Sequence, residues 1–423
     1  MSKILGVDTS TIDNISGIGT GSGGIAAVPA TTDTGIVICP KNSSPYGPFS
    51  TAELAEYSNL AHMFQLSDMT GVAKLVYNTY HWGALKTNGE FYIGGWSSTN
   101  NMGLAYTDAQ SVIASGGLML SLSGVSKIVP HSSGWFAIKT NGELWYAGSV
   151  NSYFTATTAS YMWRQLSMGD DDWYDITAYP GYPQTVIAVK GAAGSRYLYA
   201  SGRGTSYGTG QGSTSTLSAF TRVKSSSGTD LAESMSMVKT SYSSCLAISD
   251  SGKLYSWGDN PYRQLGSGNT TDKPYATQIP NDPEDWNDCW INRYGGWAKN
   301  TSGEMFLATS RTAWKVQSST GGTFSQIGSD TDFEDLAIQD QTTSSLGYPS
   351  WAKKGGVWHV MFSSSIPAGG WAGEALQSSP SGTSYVTLNS ILQANDITGT
   401  VDYLLPYVSS SANNNTGLML ALS

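Results

Sequence analysis

The chain has 423 residues, with 22 Lys+Arg against 31 Asp+Glu and a formal charge of −9; that balance excludes a phosphate-backbone binder, which needs clustered cations. Only 13% of residues are charged, while Gly reaches 49, Tyr 24 and Trp 14, a composition of short segments and turns rather than of long amphipathic helices. No run of about 18 apolar residues is present to cross a membrane, the start MSKILGVDTS lacks the apolar centre of a secretory signal, and three scattered cysteines (Cys39, Cys245, Cys289) suit neither a disulfide framework nor a metal pair.

Residues 1–31 read as an arm distinct from the rest. Two short units, Ile4-Leu5-Gly6-Val7-Asp8 and Ile12-Asp13-Asn14-Ile15-Ser16-Gly17-Ile18, precede a GTGSGG spacer. Spaced Ile and Val that cannot form a core of their own want a partner surface, and the Gly-rich stretch makes a flexible tether. The pattern resembles the N-terminal segments of tailed-bacteriophage virion proteins. The resemblance implies that Ile4, Gly6, Val7, Asp8, Ile12, Ile15, Gly17 and Ile18 contact other virion proteins. After the arm, Ser50 and Glu53 form a capping box that predicts a short helix within 44–64.

From residue 72 onward the chain repeats. VAKLVYNTYHWGALKTNGEFYIGGW (72–96) is followed by VSKIVPHSSGWFAIKTNGELWYAG (125–148), and MSMVKTSYSSCLAISDSGKLYSWG (235–258) keeps the frame. More divergent copies start at 173, 288 and 333, so the units are 45 to 62 residues apart. Each copy is two short apolar runs around Asn-Gly, Ser-Gly or Gly-Gly, the pattern of a tight hairpin. The spacing leaves room for four strands per unit. Such a sheet cannot bury both faces alone, and radial packing of four-stranded sheets solves this as a propeller. The half-unit at 401–423 lacks a partner, and TDTGIVICPKN (32–42) supplies one. The expectation is an all-β, seven-bladed propeller over 32–423, closed by pairing of N- and C-terminal strands.

The segment CLAISDSGKLYSWGDNPYRQLGSGNTTDKPYATQIP (245–280) resembles the regulator-of-chromosome-condensation repeat, whose consensus runs D-G-x-L-Y-x-W-G-x-N-x-x-G-Q-L-G-x-G. ASGRGTSYGTGQGSTSTLSAFTRV (200–223) is a partial second match, and His81 sits where the repeat carries its histidine. The resemblance implies the propeller fold. The family's nucleotide-exchange and chromatin roles do not carry over, because the chain is acidic and has no basic tail.

Signatures of catalysis are missing. Four histidines show no ligand spacing, and there is no G-x-S-x-G elbow. The acidic runs at 170–172 and 281–288 lack the calcium-loop pattern and read as solvated turns. No cofactor and no metal are expected. Aromatic rings beside hydroxyl and amide groups suit sugars, and Tyr153, Phe154, Trp163, Tyr207, Tyr262, Trp286 and Trp371 are the candidate ligand-binding residues. The expectation is therefore a non-enzymatic virion protein, assembled in the host cytoplasm. It would be a tail or baseplate adhesin that binds a host surface glycan or protein, without nucleic acid or membrane insertion. The alternatives are a capsid decoration or head fibre, and an intracellular interaction scaffold.

Overall fold

The computed structural model describes residues 35–39, 64–67, 69–78, 81–95, 119–131, 134–149, 160–166, 171–179, 184–310, 322–338, 350–361, 386–387, 400–408 and 416–423. Apart from one three-residue 3-10 turn, the regular elements among them are β-strands. They assemble into seven four-stranded antiparallel sheets and one small extra hairpin. The seven sheets are the blades of a β-propeller. Their first strands are Val72–Tyr77, Val125–His131, Trp173–Ala178, Met235–Ser241, Trp286–Asn292, Phe333–Ala337 and Val401–Val408, in blades 1 to 7.

Blade 7 closes the ring as the two terminal half-units require. Its first two strands, Val401–Val408 and Thr416–Leu422, come from the C-terminus; Gly35–Cys39 and Phe64–Ser67 complete it. Gly35 pairs with Leu422 and Cys39 with Leu418. Ile36 and Ala421 then pack with Val72, Leu75 and Trp82 of blade 1. The arm (1–31) and the helix expected within 44–64 lie outside the described residues.

Neighbouring blades share their cores. Val76, Phe91 and Ile93 of blade 1 meet Val125, Ile128 and Trp135 of blade 2, with the Phe91 and Trp135 rings 5.4 Å apart in an edge contact. Equivalent clusters join blades 2 to 3, 3 to 4, 4 to 5 and 5 to 6. Each fully buried Trp or Phe contributes about 2–3 kcal/mol. No blade can keep that gain alone, because half of each cluster belongs to its neighbour.

The repeated turn glycine serves the same packing. Gly89, Gly142, Gly252 and Gly303 have φ between +80° and +84°, as the hairpin reading demands. Their carbonyls also accept the N–H that opens the next blade: Val125 to Gly89 (2.9 Å), Trp173 to Gly142 (3.1 Å), Trp286 to Gly252 (3.0 Å) and Phe333 to Gly303 (3.2 Å). A second regularity is a bulge. In all seven blades the pairing of first and second strands shifts register between the first and third residues of the first strand, for example between Val72 and Lys74. The first residue is buried in every blade.

His81 and His131 are built into the blades. His81 opens the second strand of blade 1, is buried, and its backbone N–H donates to Asn78 Oδ1 at 2.9 Å. Gly134, Thr185, Ser244 and Gly295 open the second strands of blades 2 to 5. His131 is fully buried against Phe136, its Nε2 3.2 Å from the Ala147 carbonyl. Burial pushes its pKa down to about 3. The fold thus favours neutral imidazole, so its contribution is full above about pH 6.5 and lost as pH falls toward 3. Urea unfolding at pH 7 and pH 4.5 measures this. Wild type is expected to lose on the order of 2 kcal/mol more than His131→Gln over that interval.

Candidate functional site

In every blade the chain runs up the first strand and down the second. One end of the propeller therefore carries the first-to-second turns and the third-to-fourth loops. The other end carries the second-to-third turns and the links between blades. Both ends place arginine over tyrosine: on the link end Arg196 lies 3.6 Å over Tyr174 and Arg222 3.8 Å over Tyr197.

On the link end, carboxylates are bound into turns. Glu143 accepts from Trp145 Nε1 at 2.9 Å, and hydrogen bonds from Trp145 and Asn141 hold its carboxyl below the ordinary carboxylate range. Asp282 accepts the Leu254 N–H (2.7 Å), the Glu284 N–H (2.9 Å) and Trp286 Nε1 (2.9 Å). The turn at 281–285 is solvated as expected, with Asn281, Pro283 and Glu284 exposed, and Asp282 is the carboxylate that staples it. Among the described residues no group of three or more His, Cys, Asp or Glu is placed to hold a metal ion.

The loop end of blades 3 to 5 presents aromatic and arginine side chains. Tyr179 and Tyr242 meet at 6.0 Å, Arg293 lies 4.8 Å over Tyr242 and 6.0 Å over Tyr294, and Tyr294 meets Tyr262 at 5.0 Å. This relay crosses three blades. Arginine over tyrosine is a favourable cation–π contact, and rings flanked by such groups are held in place for a flat ligand.

The blade 4 loop that carries Tyr262 is fixed by two fully buried amides. Asn260 Nδ2 donates to Ser267 Oγ (3.0 Å), the Asn269 carbonyl (2.8 Å) and the Thr271 carbonyl (3.1 Å), while its Oδ1 accepts the Leu265 N–H (3.1 Å). Gln264 donates to Ser244 Oγ and the Asp259 carbonyl, both at 3.0 Å, and accepts the Tyr262 N–H at 2.9 Å. Asp272 Oδ1 takes the Asn260 N–H (2.9 Å). Burial first, and then Asp272, raise the Asp259 pKa; Arg293 and a hydrogen bond from Ser206 oppose this.

Backbone strain gathers at this end. Six described non-glycine residues have positive φ, and Ser206 (48°), Tyr207 (63°), Tyr242 (55°) and Arg263 (60°) all belong to it. A bulky residue held there costs roughly 1–2 kcal/mol.

The candidate aromatics divide accordingly. Tyr207 and Tyr262 stand on the loop end. Trp163, by contrast, lies in the outer strand of blade 2, donates Nε1 to Ser121 Oγ at 2.8 Å and meets Phe91 edge-on at 6.3 Å. Trp286 is buried at the start of blade 5, 4.9 Å from Phe306. Both are packing residues between or within blades, because their ring area is spent against neighbouring apolar side chains. Tyr153, Phe154 and Trp371 lie outside the described residues, as do Ile4, Gly6, Val7, Asp8, Ile12, Ile15, Gly17 and Ile18. Tyr179, Tyr242, Arg293 and Tyr294 were not among the candidates. The signal for them is a tyrosine recurring at the first hairpin turn of three successive units, in WYDITAY, MSMVKTSY and DCWINRY.

Comparison with known proteins agrees with the fold. The regulator of chromosome condensation (RCC1) repeat matches residues 251–288. No curated protein sequence matches the chain. Among solved structures, Prp20p from Saccharomyces cerevisiae superposes with a TM-score of 0.65 at 10% identity, covering 94% of this chain and 93% of that one. Human WBSCR16 gives 0.61 at 10% identity, covering 92% and 99%. The chain is thus similar in fold to RCC1-like seven-bladed propellers. The repeat consensus G-x-N-x-x-G-Q-L-G aligns its second glycine with Arg263 in blade 4 and Tyr207 in blade 3. At both places the backbone keeps the left-handed conformation suited to glycine, yet carries a large side chain.

Proposed function

We propose that this propeller is a non-enzymatic binding protein that presents the loop end of blades 3 to 5 to a glycan on a host cell surface. The reading extends to a bacteriophage virion, in which residues 1–31 contact other particle proteins and the propeller projects as a tail or baseplate adhesin. One observation carries it: Tyr207 and Arg263 occupy left-handed backbone positions where the repeat has glycine. Strain kept at a surface calls for a role other than stability. Both side chains join an end that already holds a tyrosine–arginine relay, and aromatic faces with nearby hydroxyls match the apolar face and rim of a sugar ring.

The test uses the full chain, immobilised host-surface polysaccharide and biolayer interferometry. Arg263→Gly and Tyr207→Gly are each expected to weaken binding about tenfold or more, the loss of one anchoring contact. Each is also expected to raise the melting temperature, since glycine relieves the strain. Unchanged affinity in both variants, together with unchanged affinity in Tyr262→Ala, overturns the assignment of this end. Immunogold labelling of particles tests the virion reading separately: label at the tail supports it, label on the head replaces the adhesin with a capsid fibre, and unlabelled particles reject it.

A further inference from the structure

Charge is distributed unevenly between the two ends of the propeller. At the loop end of blades 3 to 5 the described charged residues are Arg203, Arg263, Lys273 and Arg293 against Asp259 and Asp272. Cations thus outnumber anions there, although the whole chain carries −9. The acids gather instead on the link end, where Asp172, Glu233, Asp250 and Asp330 pair with lysine or arginine at 2.9 to 3.6 Å. Arg196, which lies over Tyr174 on that end, is the partner of Asp250.

Two of the loop-end cations are built into the tyrosine relay. Arg293 lies 4.8 Å over Tyr242 and 6.0 Å over Tyr294, whose ring meets that of Tyr262 at 5.0 Å. Arg263 follows Tyr262 in the chain. Its stem lies over Gly322 of the blade 5 loop, where an added Cβ would collide with it. A guanidinium therefore adjoins each member of the Tyr262–Tyr294 pair, and all four side chains are half-buried.

A guanidinium stacked on a ring keeps its charge and offers its N–H groups as a planar fork. That fork matches the two oxygens of a carboxylate, and partial burial strengthens the contact relative to open water. The two acids of this end are engaged locally. Asp272 accepts the Asn260 N–H at 2.9 Å, and Asp259 faces Arg293 and accepts from Ser206. The cation excess is small. It suits a singly charged carboxylate better than a phosphate, which carries about −1.5 to −2.

On the glycan reading of this end, on which the assignment rests, we propose that the ligand is an acidic polysaccharide of the uronic acid class. Its carboxylates pair with Arg263 and Arg293, and its sugar rings lie on Tyr262 and Tyr294. The acids of the link end repel such a polymer, so the loop end is the face that meets it.

The experiment is biolayer interferometry of the full-length protein on two forms of the host-surface polysaccharide. One is native; in the other the uronate carboxyls are reduced to alcohols and the backbone is kept. Wild type is expected to bind the native polymer about tenfold or more tighter than the reduced one. Raising salt from about 50 to about 300 mM should weaken binding to the native polymer alone. Arg293→Gln is expected to lose about tenfold on the native polymer and to leave the reduced polymer unchanged, a difference that a folding defect would not produce. The wild-type comparison decides even where the variant does not fold. Equal affinity for the two polymers overturns the acidic assignment and leaves a neutral glycan at this end. Binding that is lost on removal of phosphate, but survives carboxyl reduction, overturns it as well. Absence of binding to either polymer overturns the glycan reading itself, and the acidic assignment with it.

Discussion

Removal of residues 416–423 is expected to abolish cooperative unfolding. This segment is the second strand of blade 7, paired on one side with Val401–Val408 and on the other with Gly35–Cys39. Its deletion strips both neighbours of their ladder and takes Leu420, Ala421 and Leu422 from the core, each no more than 2% exposed. Blade 1 then loses the partner for Val72, Leu75 and Trp82. Several large side chains at about 2–3 kcal/mol each equal or exceed the 5–15 kcal/mol by which a typical domain is stable. Calorimetry of the truncated chain should show no sharp transition, and near-ultraviolet circular dichroism should flatten. A truncated protein that melts as sharply as wild type, within about 5 °C of it, would show that the ring does not depend on this closure.

Gly258→Ala is expected to be the most damaging single methyl. Gly258 ends the third strand of blade 4 with φ +96°, and a Cβ there would lie 1.8 Å from the Ser243 carbonyl oxygen. That same oxygen accepts the Asp259 N–H at 3.1 Å, so it cannot withdraw without loosening the loop that carries Tyr262 and Arg263. The expected loss is about 4 kcal/mol or more, at the severe end of point substitutions. Gly228→Ala is the control. Its φ is +76°, with nothing within 4 Å of the added carbon, so only the conformational cost of about 1 kcal/mol remains. Chemical unfolding of the two variants side by side separates backbone conformation from collision. Equal losses would show that the left-handed backbone alone is responsible.

The blades were legible because hairpins are local. An Asn-Gly between two apolar runs specifies a turn whatever lies around it, and the units starting at 72, 125 and 235 formed the strands their pattern implies. Ring closure was legible too, because a half-unit at each end leaves an unpaired strand edge and the two edges satisfy one another. The site was less so. A tryptophan serves equally as wedge or as platform, and nothing adjacent in sequence separates Trp286, buried in blade 5, from Tyr262, which stands at the loop end. The left-handed backbone of Arg263 became meaningful only once its φ was known beside the repeat's glycine.

What the chain determined by itself is the set of hairpins, their number and the pairing of its two ends, since those rest on turn chemistry and alternation over a few residues. Tertiary structure alone decided the tyrosine–arginine relay. Tyr179 and Tyr294 are 115 positions apart in the chain and belong to one relay only because the ring sets blades 3 to 5 side by side. Contacts of that kind follow from the geometry of closure, and closure is a property of seven sheets packed together rather than of any one segment.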